Sequence, residues 1–368
     1  MTSLYDWSYW FCEAWLVPLI TPLLYFQEHI MPPFSNPAGD MARWMESDPG
    51  LNILAWTIVV NVALMIGFTN VIIVVYLERK IVSLNSLKEI ASDLAGYAPE
   101  YNWKTTTYAG IGILQNVADG IKFFCKEIIV PDKADRLLYT IGPVIFISSS
   151  ILLLVMVPFS PRIAASSAPL GLLVVMAAFS IAPIGVLTTG WACNNKYTLI
   201  GGMRSAAQLM AYEIPLLLSM AGVFLVAGQG MWNVVPQFLG FIVFIICMLA
   251  EVERVPFDLP EAEAELVEGW TTEIGGLRLG LVFAAEYIRG FVGAMIATIL
   301  FLGGWSGPFL PGEIWFLLKV YGILIFFIIL RWTVPRIRTD QILLLGWKRL
   351  LPLSLINLAL AILYVEVF

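Results

Sequence analysis

Long apolar stretches alternate with shorter polar connections along almost the whole chain. Eight of them contain enough consecutive apolar residues to cross a hydrocarbon layer of about 30 Å at about 1.5 Å per helical residue. They are residues 51–76, 138–158, 168–190, 203–227, 234–250, 277–303, 313–334 and 349–367. The pattern therefore predicts an all-α polytopic membrane helix bundle with eight core transmembrane helices.

A ninth apolar stretch, residues 9–26, gives a weaker signal because Glu13, Pro18 and Pro22 interrupt it. Such a segment either spans the membrane with a kink or lies in the interface. Residues 1–50 are therefore treated as an N-terminal extension. The first 42 residues contain no Lys or Arg, so they lack the basic region of a signal peptide and are expected to be mature protein.

Composition supports the membrane assignment and narrows the function. Hydrophobic residues make up 59% and charged residues 13% of the chain, against roughly 45–50% and about 25% in soluble domains. The net charge of -6 disfavours nucleic acid as a partner. Cys12, Cys125, Cys193 and Cys247 lack metal-ligand spacing, and His29 is the single histidine. We therefore expect no metal or redox centre held by this chain.

Basic residues are distributed unevenly between the connections. Four alternate connections, 77–137, 191–202, 251–276 and 335–348, hold thirteen of them, whereas the remaining connections hold Arg162 alone. The thirteen are Arg79, Lys80, Lys88, Lys104, Lys122, Lys126, Lys133, Arg136, Lys196, Arg254, Arg336, Arg338 and Lys348. By the positive-inside rule, the four basic connections are predicted to face the cytoplasm or its equivalent.

The first basic connection contains a segment with helical periodicity. In residues 113–127, apolar side chains recur at helical spacing and Asp119, Lys122 and Lys126 lie elsewhere on the helix circumference. This pattern predicts an amphipathic helix on the inner membrane face. Its role is either a scaffold or the floor of an entry portal for a lipid-like substrate.

The third basic connection is crowded with acids. Residues 250–273 contain eight of the 27 carboxylates of the chain, namely Glu251, Glu253, Asp258, Glu261, Glu263, Glu265, Glu268 and Glu273. A solvated acidic loop is one interpretation. The other follows from the interleaved apolar residues, because partly buried neighbouring carboxylates raise one another's proton affinity and suit a proton relay.

Four charged residues lie in the interior of predicted spans, away from the span ends, where each charge costs about 2.5–3.5 kcal/mol and a functional site is the first hypothesis. They are Glu213, Glu286, Arg289 and Lys319. Glu286 and Arg289 are three residues apart and could pair on one helix face, which would give these two a structural role. Glu213 has no opposite charge in its own span and precedes Pro215, so it is the candidate for carrying protons.

Six sequence blocks in a fixed order resemble one family. The block ERVPFDLPEAEAELVEG at 253–269 closely resembles the signature loop of the quinone-site membrane component of respiratory complex I, its H subunit. The others are LERK (77–80), GILQNVADGIKFFCKE (112–127), AAQLMAYEIPL (206–216), TTEIGGLRLGLVFAAEYI (271–288) and RWTVPRIRTDQILLLGWKRLLPLSLIN (331–357). The resemblance covers residues 51–368, which are identified as a membrane domain of this complex I type.

The resemblance implies a quinone cavity beside a funnel of acidic residues that leads into the membrane. The implied proton relay consists of Glu213, Asp258, Glu261, Glu263, Glu265, Glu273 and Glu286. The implied cavity and portal consist of Glu78, Arg79, Asp119, Lys126, Arg254 and Phe257. Quinone is then the substrate, and the iron–sulfur clusters belong to partner subunits of the peripheral arm. The other implied partners are further membrane subunits, and the implied location is an energy-coupling membrane.

One departure concerns the stretch after the LERK block. The family usually has an arginine-bearing R-x-G-P-N stretch there, whereas residues 81–110 contain no arginine. The electron acceptor therefore remains open between menaquinone, an archaeal quinone and a phenazine-type carrier, and the donor also remains open. Two alternative functions are the related subunit of a membrane-bound hydrogenase and a stand-alone proton-coupled transporter.

Overall fold

The computed structural model describes residues 61, 64–81, 113–158, 171–226, 237–258, 268–307 and 311–367, and these form helices and connections without a strand. The helices are α1 (64–81), α2 (Ile113–Cys125), α3 (Arg136–Met156), α4 (Gly171–Ala192), α5 (Lys196–Val226), α6 (Phe238–Glu251), α7 (Leu277–Leu300), α8 (Gly312–Thr333), α9 (Thr339–Leu344) and α10 (Leu351–Val367). A 3-10 turn, Gly269–Thr271, precedes α7, and a π-helical turn, Leu345–Leu350, joins α9 to α10.

The predicted all-α membrane class is confirmed. Six helices in the described part of the chain are long and apolar enough to cross a membrane: α3, α4, α5, α7, α8 and the continuous segment Thr339–Glu366 that contains α9 and α10. The predicted span 234–250 corresponds to α6, which has only 14 residues. The exact count of eight is therefore not confirmed. The predicted span 51–76 is described only in part, and the N-terminal extension with its stretch 9–26 lies outside the described residues.

Helix α5 is the central element of the described bundle. It packs against α4, α6 and α10, while α3 packs along α4 and α7. Close approach of α3 and α4 depends on small residues, since a Cβ added at Gly185 would lie 2.8 Å from the backbone nitrogen of Phe146. A larger residue at Gly185 would therefore force these two helices apart.

The four basic connections meet at one end of the bundle. The amide of Asp135 donates to the carbonyl of Ala192 at 3.0 Å, and the amide of Ile337 donates to the carbonyl of Pro256 at 3.2 Å. The Tyr139 hydroxyl donates to the carbonyl of Glu273 at 2.6 Å. We call this the basic end. Its assignment to the cytoplasmic side stays a prediction.

The predicted amphipathic helix forms as α2. Phe123 on one side contacts α7, with its ring centroid 6.4 Å from that of Phe283. Ile121 and Phe124 on another side are 57% and 73% exposed. Lys126, which directly follows the last residue of α2, is exposed as well. Such a division between bundle, apolar surface and charge is what a helix at a membrane interface needs.

The two described cysteines of the basic end differ in environment. Cys193 is buried, and its removal from water, with Glu273 nearby, raises the pKa of the thiol to about 12, whereas Cys125 is exposed. Because thiolates are the reactive form, native Cys193 should resist maleimide labelling at pH 8 and react once the protein is unfolded in detergent. Peptide mass spectrometry measures both states, and labelling of native Cys193 would contradict its burial.

Candidate functional site

A row of alternating charges lies at the basic end between α1, α6, α7 and α8. Arg331 forms an ion pair with Glu78, and the Tyr287 hydroxyl donates to Glu78 at 2.9 Å. The Arg254 guanidinium stands 4.5 Å from the centroid of the Tyr287 ring and 3.1 Å from the Glu286 carboxylate. These five residues border a small cavity of about 50 Å³. We call them the charged row.

The charged row is assembled from distant parts of the sequence. Glu78 lies in the last turn of α1, and Arg331 lies in the last turn of α8. Glu286 and Tyr287 are consecutive on α7, while Arg254 belongs to the connection that follows α6. The ends of α1, α6 and α8 thus meet the interior of α7, and this meeting brings the opposite charges together.

A larger cavity of about 400 Å³ adjoins the charged row. Its described lining combines apolar and aromatic side chains with two arginines and two acids: Val255, Asp258, Glu268, Thr271, Phe283, Arg331, Trp332 and Arg336. Asp258 is buried and pairs with Arg336 at 2.9 Å. Arg331 borders both cavities, so the larger cavity and the charged row are contiguous.

The pairing of Glu286 with Arg289 that their spacing suggested is wrong. Glu286 pairs with Arg254, and Arg289 turns instead to Glu251 at the end of α6, with 3.6 Å between Nη1 and Oε1. The reason is packing: both α7 residues are buried, and α6 with its following connection supplies charges of the complementary sign to each. The ion-pair partners of Glu286 and Arg289 are therefore set by packing between helices and not by their spacing along α7.

Further acids continue from the charged row into the bundle. Glu251 and Glu253 are buried, and the Ser205 hydroxyl donates to Glu253. Glu213, partly buried at mid-α5, accepts a hydrogen bond from Ser180 on α4. Glu251 interacts electrostatically with both Glu213 and Glu253. A set of buried and partly buried carboxylates, two of which accept hydrogen bonds from serine hydroxyls, therefore lies beside the charged row.

The other predicted site residues have varied environments. Asp119 of α2 pairs with Arg79 of α1 at 2.6 Å, and Lys126 is exposed. Glu273 accepts a hydrogen bond from Asn195 at 2.7 Å. Phe257 is buried edge to face against Tyr212, with 5.3 Å between ring centroids. The resemblance placed Phe257 in the quinone cavity, and its described ring contact is with Tyr212 inside its own bundle.

Three members of the predicted relay, Glu261, Glu263 and Glu265, lie outside the described residues, as does the departure at 82–110. Their assignment to the relay stays a prediction. The same holds for the roles of the described acids, because position alone does not show proton transfer.

Four charged residues of the site were not in the set of site residues that the family resemblance implied. They are Glu251, Glu253, Arg331 and Arg336. Glu251 had a usable signal, because it follows the apolar stretch 234–250 without a break. Glu253 had no such sequence signal. In the structure its backbone adopts a positive φ of 55°, a conformation that non-glycine residues avoid. The arginines had no local signal, since their acids lie far away in the sequence.

Lys319 is held by main-chain carbonyls. Its ammonium donates to Leu302, Gly304 and Ser306 at 2.7, 3.0 and 2.9 Å, at the turn that follows α7. A cation is favoured near a helix C-terminus, where carbonyls lack helical partners. The intramembrane lysine therefore has a structural explanation instead of the functional one that its position suggested.

Comparison with known proteins gives the family. The model of the NADH dehydrogenase family matches residues 56–362. A protein of Brevibacillus brevis, named as the H subunit of NADH-quinone oxidoreductase, is 40% identical over 341 residues, which cover 87% of this chain and 96% of that protein. A Geobacillus thermodenitrificans protein of the same name is 40% identical, covering 87% and 97%. One from Bacillus cytotoxicus is 43% identical, covering 70% and 82%.

The chain thus belongs to the NADH dehydrogenase family of membrane subunits. Within the described residues, no group of three or more His, Cys, Asp or Glu side chains is placed to hold a metal ion.

Proposed function

We propose that this chain is the membrane subunit of a complex I-like oxidoreductase that forms much of a quinone cavity and couples quinone reduction to proton translocation. The observation that carries the proposal is the continuity of the site. Arg331 borders the cavity of about 400 Å³ and also belongs to the charged row. Substrate chemistry in the cavity can therefore alter charges that continue into the bundle.

The larger cavity suits the headgroup of a quinone. Val255, Phe283 and Trp332 offer apolar and aromatic surface, which stacks on a flat ring. The two arginines offer hydrogen-bond donors for the carbonyl oxygens. Reduction of the headgroup requires two protons and two electrons, and the electrons are proposed to come from iron–sulfur clusters in a peripheral partner subunit.

The acids beside the cavity suit a proton relay. Glu286 lies in the charged row, and Glu251, Glu253 and Glu213 follow at the α6 end and on α5. Their carboxylates are buried or partly buried, and the serines of α4 and α5 bridge to them. Closely placed carboxylates share protons, so a change of charge at the cavity redistributes protons along the set.

The proposed assembly follows from the same picture. The basic end carries the cavity, so iron–sulfur-bearing subunits are proposed to dock there, with further membrane subunits packed against the bundle. Lipid and quinone reach the exposed apolar side of α2, where Ile121 and Phe124 face outward. The location is an energy-coupling membrane, with the basic end on the cytoplasmic or equivalent side.

A photoreactive quinone analogue tests the cavity. Added to the intact membrane complex, it should label peptides that contain Phe283 and Trp332, and excess native quinone should suppress this labelling. The α10 peptide around Leu360, exposed on the bundle surface, is the control for labelling from the lipid. Labelling of the two cavity peptides that excess quinone leaves unchanged would contradict the proposal.

A further inference from the structure

One arginine is fully buried inside the bundle next to the proposed relay. Arg289 on α7 is 1% exposed, although a charged side chain in a membrane bundle is costly unless it has a function or a partner. Its guanidinium donates to the Ser149 hydroxyl at 3.1 Å and to the carbonyl of Glu251 at 3.5 Å. It also stands 4.5 Å from the centroid of the Phe146 ring. These contacts with α3 and α6 fix the cation in place.

The acidic partner of this cation is Glu251. The two side chains approach within 3.6 Å, and Glu251 is 2% exposed. The geometry differs from that of the charged row, in which Arg254 and Glu286 border a cavity. Arg289 is sequestered from solvent and lines neither of the two cavities of the site, so it does not contact the proposed substrate.

Opposing effects meet at the Glu251 carboxyl. Removal from water favours the protonated acid, and so do the carboxylates of Glu213 on α5 and Glu253 in the connection after α6. Arg289 opposes all three, because its positive charge favours the ionised carboxylate. Without this cation, burial and two like charges would raise the proton affinity of Glu251 further.

We propose that Arg289 is a positioning residue that makes the proton of Glu251 releasable. It acts through Glu251 and exchanges no proton itself. The inference rests on the proposed function, since it assumes that Glu251 passes protons towards Glu213.

The test uses the intact complex in proteoliposomes with four variants: Arg289→Met, Arg289→Lys, Glu251→Gln and the double variant Arg289→Met/Glu251→Gln. Co-purification of partner subunits measures assembly. Protons translocated per quinone reduced measure coupling. Infrared difference spectra at several pH values follow the protonated carboxyl band, which is assigned to Glu251 by its loss in Glu251→Gln.

We expect Arg289→Met to lower coupled proton transfer at least about tenfold, which is less than the roughly 10²–10⁴-fold effect of a proton-transfer group itself, because Arg289 acts only through Glu251. The Glu251 band should titrate in the parent and stay protonated throughout in Arg289→Met. Arg289→Lys should restore titration and coupling to within a few-fold. If Arg289→Met assembles poorly, the double variant should recover assembly, because no unpaired buried charge is left, and should remain uncoupled.

Two results would overturn the inference. One is full coupling with a normally titrating Glu251 band in Arg289→Met. The other is a double variant that regains both assembly and coupling, since the pair would then be structural alone. Failure of the proposed function gives a different result. Full coupling in a Glu213→Gln complex would refute the proton relay itself, whatever the Arg289 variants show.

Discussion

Replacement of Glu213 by Gln should leave the complex assembled and lower proton-coupled quinone reduction about 10²-fold, the scale of losing a positioned proton-transfer group. Gln keeps the size of the side chain and can still accept the hydrogen bond from Ser180. It cannot bind and release a proton. The proposed route from Glu251 through α5 would therefore be interrupted, although the packing of α5 would be preserved.

Glu366 provides the matched control for this substitution. It is an exposed carboxylate near the end of α10, away from the charged row, and Glu366→Gln should retain coupling and assembly. Assembly is measured by co-purification of the partner subunits, and coupling by proton uptake into proteoliposomes. Parental coupling in an assembled Glu213→Gln complex would refute the role of Glu213.

Replacement of Lys319 by Met should destabilise the protein and leave the proton stoichiometry of the surviving complexes unchanged. The change deprives the carbonyls of Leu302, Gly304 and Ser306 of their common donor. Each buried carbonyl left without a partner costs about 1–3 kcal/mol. We expect the apparent melting temperature of the complex to fall by about 5 °C or more.

An exposed lysine supplies the control for Lys319. Lys348→Met removes a cation from an exposed position of the π-helical turn and should shift the melting temperature by little. Lys319→Arg keeps the charge and part of the donor set, so an intermediate melting temperature is expected. A coupling ratio that falls in Lys319→Met while stability is unchanged would return Lys319 to the functional residues.

Several properties of this protein follow from sequence alone. The 59% hydrophobic content and the apolar stretches predict that most of the surface faces lipid. They also predict helices, because backbone N–H and C=O groups inside a bilayer must hydrogen-bond to one another. The ordered blocks indicate the family, and the family model matches residues 56–362. The amphipathic period of residues 113–127 predicts α2, because periodicity reports which side of a helix meets which solvent.

Tertiary structure decided which charges meet. Local spacing suggested that Arg289 pairs with Glu286, and it gave no partner for Glu78 or Asp258. The fold joins Glu78 to Arg331 and Asp258 to Arg336 across 253 and 78 residues of sequence. Likewise, only the fold shows that the turn after α7 supplies three main-chain carbonyl acceptors to the intramembrane Lys319. The physical reason is that a buried charge takes the best partner that the crossing of helices brings within reach, and periodicity along a single helix carries no information about that crossing.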